Sequence, residues 1–358
     1  MAKKVILEAG RTFSEFSLLT DYTPKECNLN NINLKSKLGN LELGNPFLSA
    51  AMTSVTGYEM ALALGKEGGL GVLPARLSIK EQVEIINQIK GYEMGFVEDP
   101  VSVRDNATID EAVRLVEKHG HSKIPITDRN NVFLGLFNFD KYLESNETPA
   151  ENIMTVITKK DELPVTNNEN ITVDEAKKEL QKNNYLVVLD DLNRLVKIAF
   201  KKDVDNIVVG AALSTHKGWK KRVKECHKAG ADIFVIDTSD AYNEFTAKVI
   251  KEYNAMELEK PICAGNVITY EGAKFLMENG ADVIKVGMSS GSICTTQREK
   301  ATGRAPMTAL LDVEKARTEY YKNTGKYVSI IIDGGVSDAG SMIIALSVAD
   351  AVMMGGYF

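Results

Sequence analysis

The stretch Pro46-Phe-Leu-Ser-Ala-Ala-Met52 predicts a short strand that is followed directly by a helix. Tyr58-Glu-Met-Ala-Leu-Ala-Leu-Gly-Lys-Glu67 is rich in helix formers and stops at a pair of glycines. Leu70-Gly-Val-Leu-Pro74 then predicts a second strand, and Ile79–Lys90 predicts a second helix. Strand, helix, strand, helix is typical of a parallel α/β architecture.

The same alternation resumes in the second half of the chain, where helical patterns separate short apolar runs. There are six such runs: Ile207–Leu213, Asp232–Asp237, Pro261–Val267, Val283–Met288, Ser329–Val336 and Ala351–Gly356. With the two early strands they make eight, which predicts an α/β fold of the (β/α)8 TIM-barrel type. An open doubly wound sheet is the alternative, but it would be expected to carry a GxGxxG turn, and the sequence has none.

Two related segments interrupt the barrel pattern after the second strand and helix. Each has a capped amphipathic helix and a paired strand region, and the helices open on matching Thr-hydrophobic-Asp-Glu-Ala strings at Thr108–Ala112 and Thr172–Ala176. This inserted repeat resembles a CBS-domain pair, a regulatory module that often binds adenine or guanine nucleotides; a purely structural or assembly role is the alternative. The expected domains are residues 1–96 (N-terminal arm and first part of the barrel), 97–203 (the α+β CBS-domain pair) and 204–358 (the rest of the barrel).

Composition limits the classes of function. The 358 residues are 44% hydrophobic and 26% charged, as in ordinary globular proteins, and the net charge of −6 argues against non-specific nucleic-acid binding. Four widely spaced cysteines indicate a reducing compartment and disfavour a zinc site. No signal peptide or long apolar segment is visible, so we expect a cytoplasmic protein with small-molecule substrates and no membrane partner.

Polar residues and glycines collect at the carboxyl ends of the predicted strands, where barrels form their active sites. These residues are Ser49, Asp237, Thr238, Ser239, Gly265, Asn266, Asp333, Gly334, Gly335, Gly355 and Gly356, and the apolar Met52 follows the end of the first strand. Glycine-rich loops after the late strands expose backbone N–H groups and suggest a phosphorylated substrate. Each residue taken singly could instead cap a turn or satisfy a loop.

The loop after the sixth strand, Gly287-Met-Ser-Ser-Gly-Ser-Ile-Cys-Thr-Thr-Gln297, surrounds the thiol of Cys294 with glycines and small hydroxyl donors. Such a loop suits an anion or a nucleophile. The alternative is a polar strand-to-helix turn that holds a passive cysteine.

Several strings together resemble the IMP dehydrogenase family: Ala264-Gly-Asn-Val267, Gly291-Ser-Ile-Cys-Thr-Thr296, Asp333-Gly-Gly-Val336 and Ala349-Asp-Ala-Val-Met-Met-Gly355. The inserted repeat lies where that family carries its CBS-domain pair, and the resemblance covers nearly the whole chain. It implies NAD-dependent oxidation of IMP to XMP, activation by a potassium ion and assembly as a homotetramer. The sister enzyme GMP reductase shares much of the cysteine-loop string and usually lacks the insertion.

The resemblance also implies a role for each site residue. Cys294 would be the nucleophile, and Thr296 would hydrogen-bond near the attacking water. The implied substrate-binding residues are Ser292, Asp333, Gly335, Gly355, Gly356, Met52 and Asn266, with Asp333 on the ribose hydroxyls. The implied cofactor-binding residues are Asp237, Ser239, Asn266 and Gly287. The backbone carbonyls of Ser289, Gly291 and Cys294 would hold potassium.

Two departures from the family pattern bear on function. Ser289 stands where the family normally has glycine in the potassium loop. The sequence stops at Tyr357-Phe358, whereas the family continues with an eighth helix, a flap whose Arg-Tyr pair activates water, and a segment that completes the potassium site. IMP dehydrogenase is therefore the leading hypothesis, and the alternatives are a GMP reductase and a non-catalytic nucleotide-binding member.

Overall fold

The computed structural model describes residues 9–24, 27, 31–92, 96–98, 100–119, 122–200, 207–288, 299 and 301–358. By its internal packing the chain divides into two compact units. One unit comprises residues 1–92 together with 207–358, and the other comprises residues 93–206.

The first unit contains a closed barrel of eight strands. In chain order they are β1 (Phe47–Ser49), β2 (Leu70–Leu73), β3 (Val209–Leu213), β4 (Ile233–Asp237), β5 (Ile262–Val267), β6 (Val283–Val286), β7 (Ser329–Asp333) and β8 (Ala351–Met354). Neighbouring strands are parallel, and β8 pairs with β1 to close the ring. The predicted (β/α)8 fold is confirmed. Strand β7 ends earlier than predicted because Gly334 and Gly335 adopt positive φ angles that extended backbone does not use.

Helices connect the strands of the barrel. The described ones are α1 (Tyr58–Lys66), α2 (Ile79–Lys90), α3 (Trp219–Ala229), α4 (Glu244–Asn254), α5 (Tyr270–Glu278), α6 (Pro306–Thr324) and α7 (Ala339–Leu346). Helix α2 has the predicted bounds because a capping box fixes its start: Glu81 N–H donates to Ser78 Oγ at 3.2 Å, and Ser78 N–H donates to Glu81 Oε2 at 2.8 Å. None of the described helices is long and apolar enough to cross a membrane.

The interior of the barrel is filled by alternate residues of the strands, as the period of two along a strand requires. The innermost buried side chains include Leu48, Val72, Ala212, Val235, Cys263, Val283, Ile331 and Met353. A hairpin of Ser36–Leu38 and Leu41–Leu43 adds Leu38 and Leu43 to the same core. Because Val283 faces inward, Lys285 two residues later on β6 also faces inward, nearer the carboxyl end of the strands.

The amino ends of the strands are tied together by aspartates. Asp350, just before β8, accepts the N–H of Ile330 at 2.7 Å and pairs with Arg317 at 2.9 Å. Asp232 and Asp282 make equivalent backbone bonds before β4 and β6, to Val209 N at 2.9 Å and Ile262 N at 3.1 Å. These bonds stabilise the barrel at the end away from the candidate site.

The second unit contains two four-stranded sheets of similar plan. One consists of Val103–Arg104, Lys123–Thr127, Phe133–Asn138 and Ile157–Lys159, and the other of Val165–Thr166, Tyr185–Leu189, Leu195–Phe200 and Val97–Glu98. The described helices of this unit are Ile109–His119, Phe139–Leu143 and Val173–Leu180. Each sheet starts with a parallel pair followed by antiparallel pairs.

The two sheets of this unit meet through reciprocal backbone bonds. Phe133 N–H donates to Asn193 O at 2.9 Å, and Leu195 N–H donates to Asn131 O at 3.0 Å. Side chains from both sheets, including Phe133 and Leu189, form one buried cluster beside these bonds. The repeat seen in the sequence is thus also a repeat in structure, and its identity as a CBS-domain pair stays a prediction.

Candidate active site

Four polar side chains converge at the carboxyl ends of neighbouring barrel strands. Asp237 ends β4, Asn266 lies in β5, Lys285 lies in β6 and Asp333 ends β7. Because parallel strands bring their carboxyl ends to one rim, residues separated by almost 100 positions in sequence become neighbours. We call this set the polar array.

Lys285 is the centre of the polar array. Its Nζ donates to Asp237 Oδ1 at 2.8 Å, to Asn266 Oδ1 at 2.5 Å and to Asp333 Oδ2 at 2.8 Å. An ammonium group has three N–H bonds, so these contacts use all of them. Its side chain is 2% exposed, whereas those of Asp237 and Asp333 are 35% and 22% exposed. The cation is therefore buried, and the two carboxylates lie closer to solvent.

The charge state of Lys285 follows from two opposing effects. Burial disfavours the ammonium and by itself lowers the pKa, while attraction to Asp237 and Asp333 and their hydrogen bonds raise it. The carboxylates prevail, so that the pKa of Lys285 lies above its ordinary value. Lys285 is thus a permanent cation at physiological pH.

Asn266 links the polar array to the start of the cysteine loop. Its Nδ2 donates to Asp333 Oδ2 at 3.0 Å and to the carbonyl of Gly287 at 2.6 Å, while its backbone N–H donates to Thr238 O at 2.9 Å. Both ends of the amide group are therefore bonded, which fixes its orientation. Gly287 itself has a φ of 137°, a conformation that favours glycine.

Gly265 leaves room for Lys285. A Cβ at this position would lie 2.5 Å from Lys285 Cβ and 2.7 Å from the Lys285 carbonyl oxygen, closer than van der Waals contact permits. Glycine at the end of β5 therefore lets the lysine stem pass beside the neighbouring backbone.

The remaining predicted site residues lie around the same rim. Met52 and Gly355 are neighbours, since a Cβ on Gly355 would be 3.8 Å from Met52 Sδ. Ser239 and Gly356 are exposed. Gly335 has a φ of 80°, and a Cβ there would lie 3.0 Å from a carbon of Pro306.

Ser49 is buried at the end of β1 and accepts a hydrogen bond from Thr56 Oγ1 at 2.8 Å. This hydrogen bond gives Ser49 a structural role.

The predicted residues of the cysteine loop, namely Ser289, Gly291, Ser292, Cys294 and Thr296, lie outside the described residues. Among the described residues that flank it, Arg304 N–H donates to Met288 O at 3.2 Å. Arg304 Nη1 also donates to Ile268 O at 3.0 Å and to Asp312 Oδ2 at 2.5 Å.

Two of the other cysteines, Cys226 and Cys263, are buried and lack the accessibility of a reactive thiol. Burial raises the pKa of Cys263 to about 12 and that of Cys226 to about 11. Both side chains are 0% exposed, so they are protonated at neutral pH and closed to a substrate. Cys27 is exposed in the N-terminal arm.

Sequence reasoning missed Lys285 and Arg304. The signal for Lys285 was present, because one lysine stands inside the apolar run Val283–Met288 that was predicted to be buried on both faces. A charge at such a position needs buried counter-charges. No comparable pattern marks Arg304.

Comparison with known proteins places these features in context. A family model described as IMP dehydrogenase / GMP reductase domain matches residues 10–358. An inosine-5'-monophosphate dehydrogenase of Tritrichomonas foetus is 32% identical, with a match that covers 98% of this chain and 75% of that protein. One from Aquifex aeolicus is 31% identical, with a match that covers 98% of this chain and 73% of that protein.

Among solved structures, a GMP reductase from Trypanosoma brucei in complex with guanosine 5'-monophosphate is similar, with a TM-score of 0.64 at 23% identity. The match covers 98% of this chain and 76% of the other. At this identity the likeness shows the shared fold.

Proposed function

Because the chain belongs to the IMP dehydrogenase / GMP reductase family, we propose that it oxidises IMP to XMP with NAD as the hydride acceptor. The observation that carries the proposal is the polar array, since it puts two carboxylates and an amide at the mouth of an otherwise apolar barrel. A ligand rich in hydroxyl and amide groups suits such a mouth better than an apolar one does.

The substrate side of the site is proposed to be built around Asp333. Its carboxylate is oriented by Lys285 and Asn266 and is 22% exposed, which suits an acceptor for the two ribose hydroxyls. The phosphate is assigned to Ser292 and to the backbone N–H groups at Gly335 and Gly356. The positive φ of Gly335 supports this assignment, because a turn with this backbone conformation can present its N–H groups to an anion. Met52 and Gly355 are proposed to contact the purine.

The cofactor side is proposed to use Asp237, Ser239, Asn266 and Gly287. Asp237 and Ser239 are at least partly accessible at the end of β4, and they offer a carboxylate and a hydroxyl group. A carboxylate acceptor beside a hydroxyl that can donate or accept suits the carboxamide and ribose hydroxyls of a nicotinamide nucleotide. NAD, when bound, would accept the hydride that leaves the purine.

The proposed nucleophile is Cys294. Its thiolate would attack carbon 2 of the hypoxanthine ring and form a C–S bond; after loss of hydride, water would add at the same carbon and the C–S bond would break. XMP, the free thiolate and one proton result. Thr296 is proposed to hydrogen-bond near the attacking water. The raised pKa values of the buried Cys226 and Cys263 argue against either of them as the reactive thiol.

Three further assignments stay proposals that rest on the sequence motifs. Potassium would bind the backbone carbonyls of Ser289, Gly291 and Cys294, since a hard cation prefers oxygen ligands. The inserted unit would be a CBS-domain pair, and its repeated sheets support this. The working assembly would be a homotetramer.

The test is a paired assay on the purified protein. Incubation with IMP, NAD and potassium is expected to yield NADH and XMP, with a purine adduct on Cys294 visible in the protein mass. NADPH-dependent release of ammonia from GMP, without NADH formation from IMP, would identify a GMP reductase instead. Binding of IMP with neither reaction would identify a non-catalytic member.

Two cysteine variants sharpen this assay. Cys294→Ala is expected to abolish NADH formation while IMP binding stays within a few-fold, because the nucleophile acts in the transition state and the ribose and phosphate are held by other groups. Cys226→Ala is the matched control and should retain turnover, since its thiol is buried in helix α3. Turnover by Cys294→Ala would rule out the covalent mechanism.

A further inference from the structure

Lys285 contacts groups from both halves of the proposed site. Asp333 belongs to the substrate side, Asp237 belongs to the cofactor side, and the lysine Nζ lies 2.8 Å from a carboxylate oxygen of each. Asn266 is assigned to both sides, and its Oδ1 accepts a hydrogen bond from the third N–H of the Lys285 ammonium. One buried cation therefore joins residues of three other strands.

The charges of the polar array explain why a cation is needed there. With Lys285 present, the two carboxylates and the ammonium sum to −1; without it, the sum would be −2. Two carboxylates that both contact one cation repel each other, and without the cation this repulsion, which partial burial strengthens, is no longer offset. Asp333 would then move away from its present position.

We propose that Lys285 is a positioning residue shared by the substrate and cofactor sites, which holds Asp333 and Asp237 in place as charged acceptors. This inference rests on the proposed function, in which Asp333 receives the ribose of IMP. Lys285 acts through the carboxylates, because all three of its N–H bonds are used within the polar array.

The test is calorimetric titration of IMP, without NAD, into the wild type and three variants. Lys285→Met keeps the length of the side chain and removes its charge, and we expect it to weaken IMP binding by about tenfold or more, the loss that follows when a charge-assisted bond is weakened. Lys285→Arg keeps the charge and should retain most of the affinity.

The double variant Lys285→Met/Asp237→Asn separates charge from packing. It restores the sum of −1 without restoring the lysine, so we expect IMP affinity to recover relative to Lys285→Met. If Lys285 served only to fill space, the double variant would bind IMP as weakly as the single variant. That result would overturn the inference, and so would unchanged IMP binding by Lys285→Met.

The solubility of the variants and the binding of IMP by the wild type serve as separate controls. If Lys285→Met is insoluble, recovery of soluble protein in the double variant supports the charge argument, and insolubility of both variants contradicts it. Failure of the wild type to bind IMP would refute the proposed function. Equal binding of IMP by the wild type and Lys285→Met would refute only the role of Lys285.

Discussion

Replacement of Asp333 by Asn is expected to weaken IMP binding by about 1.5–3 kcal/mol, roughly 10- to 150-fold. Asn has nearly the same shape, so its oxygen can still accept from Lys285 or Asn266, which now contact Asp333 Oδ2 at 2.8 and 3.0 Å. The loss comes from the ligand, because hydrogen bonds from the ribose hydroxyls to a carboxylate become bonds to a neutral amide. Since the Asp333 side chain is 22% exposed, water screens this difference only in part.

Stability should change much less than binding in this variant. Lys285 keeps its bond to Asp237 at 2.8 Å, so the buried ammonium retains a counter-ion, and we expect a loss of no more than about 1.5 kcal/mol in the free energy of unfolding. Calorimetric titration of IMP and urea denaturation measure the two quantities. Asp338→Asn is the matched control, because it removes a charge from the same loop while Asn caps helix α7 as well as Asp does. Unchanged IMP affinity in Asp333→Asn would make Asp333 a structural turn residue.

Three other perturbations test the stability of the barrel that supports the site. Asp350→Asn should lower the free energy of unfolding by about 1.5–3 kcal/mol, because it weakens the bond to the partly buried Arg317 at the opposite end of the barrel, and urea denaturation measures this loss. Burial and then the charge of Asp282 raise the pKa of Tyr253 above its ordinary value. The stability that comes from this raised pKa is complete below about pH 10 and is lost as the pH rises above it, so Tyr253→Phe should flatten the fall in stability measured above pH 10. Excision of residues 97–203 with a short linker should leave a folded barrel that binds IMP, as circular dichroism and titration can show.

Each of these predictions has a control or a contrary outcome. Glu84→Gln breaks the exposed ion pair with Lys80 and should cost less than about 1 kcal/mol, in contrast to Asp350→Asn. An equally steep alkaline loss of stability in Tyr253→Phe would assign the effect to another group. Absence of a cooperative melt after the excision would mean that the inserted unit is part of the barrel core.

The eight strands of the barrel could be predicted from local sequence patterns. Short apolar runs bounded by glycine and polar residues indicated each of the eight strands, because a parallel strand buried on both faces must be apolar nearly throughout. Local chemistry also set the start of helix α2, since the bonds of its capping box connect residues three apart. The motifs at the strand ends likewise pointed to Asp237, Asn266 and Asp333 as site residues.

The surroundings of these residues depend on the tertiary structure. Whether Lys285 faces inward depends on the register and closure of the barrel, which no local pattern fixes. Ser49 and Asp333 both stand at strand ends in the sequence, yet the fold buries Ser49 against Thr56 and brings Asp333 to the cation. The reason is that an ion pair between residues 48 positions apart exists only after eight strands have closed, so the buried lysine that joins the two carboxylates is a property of the closed barrel.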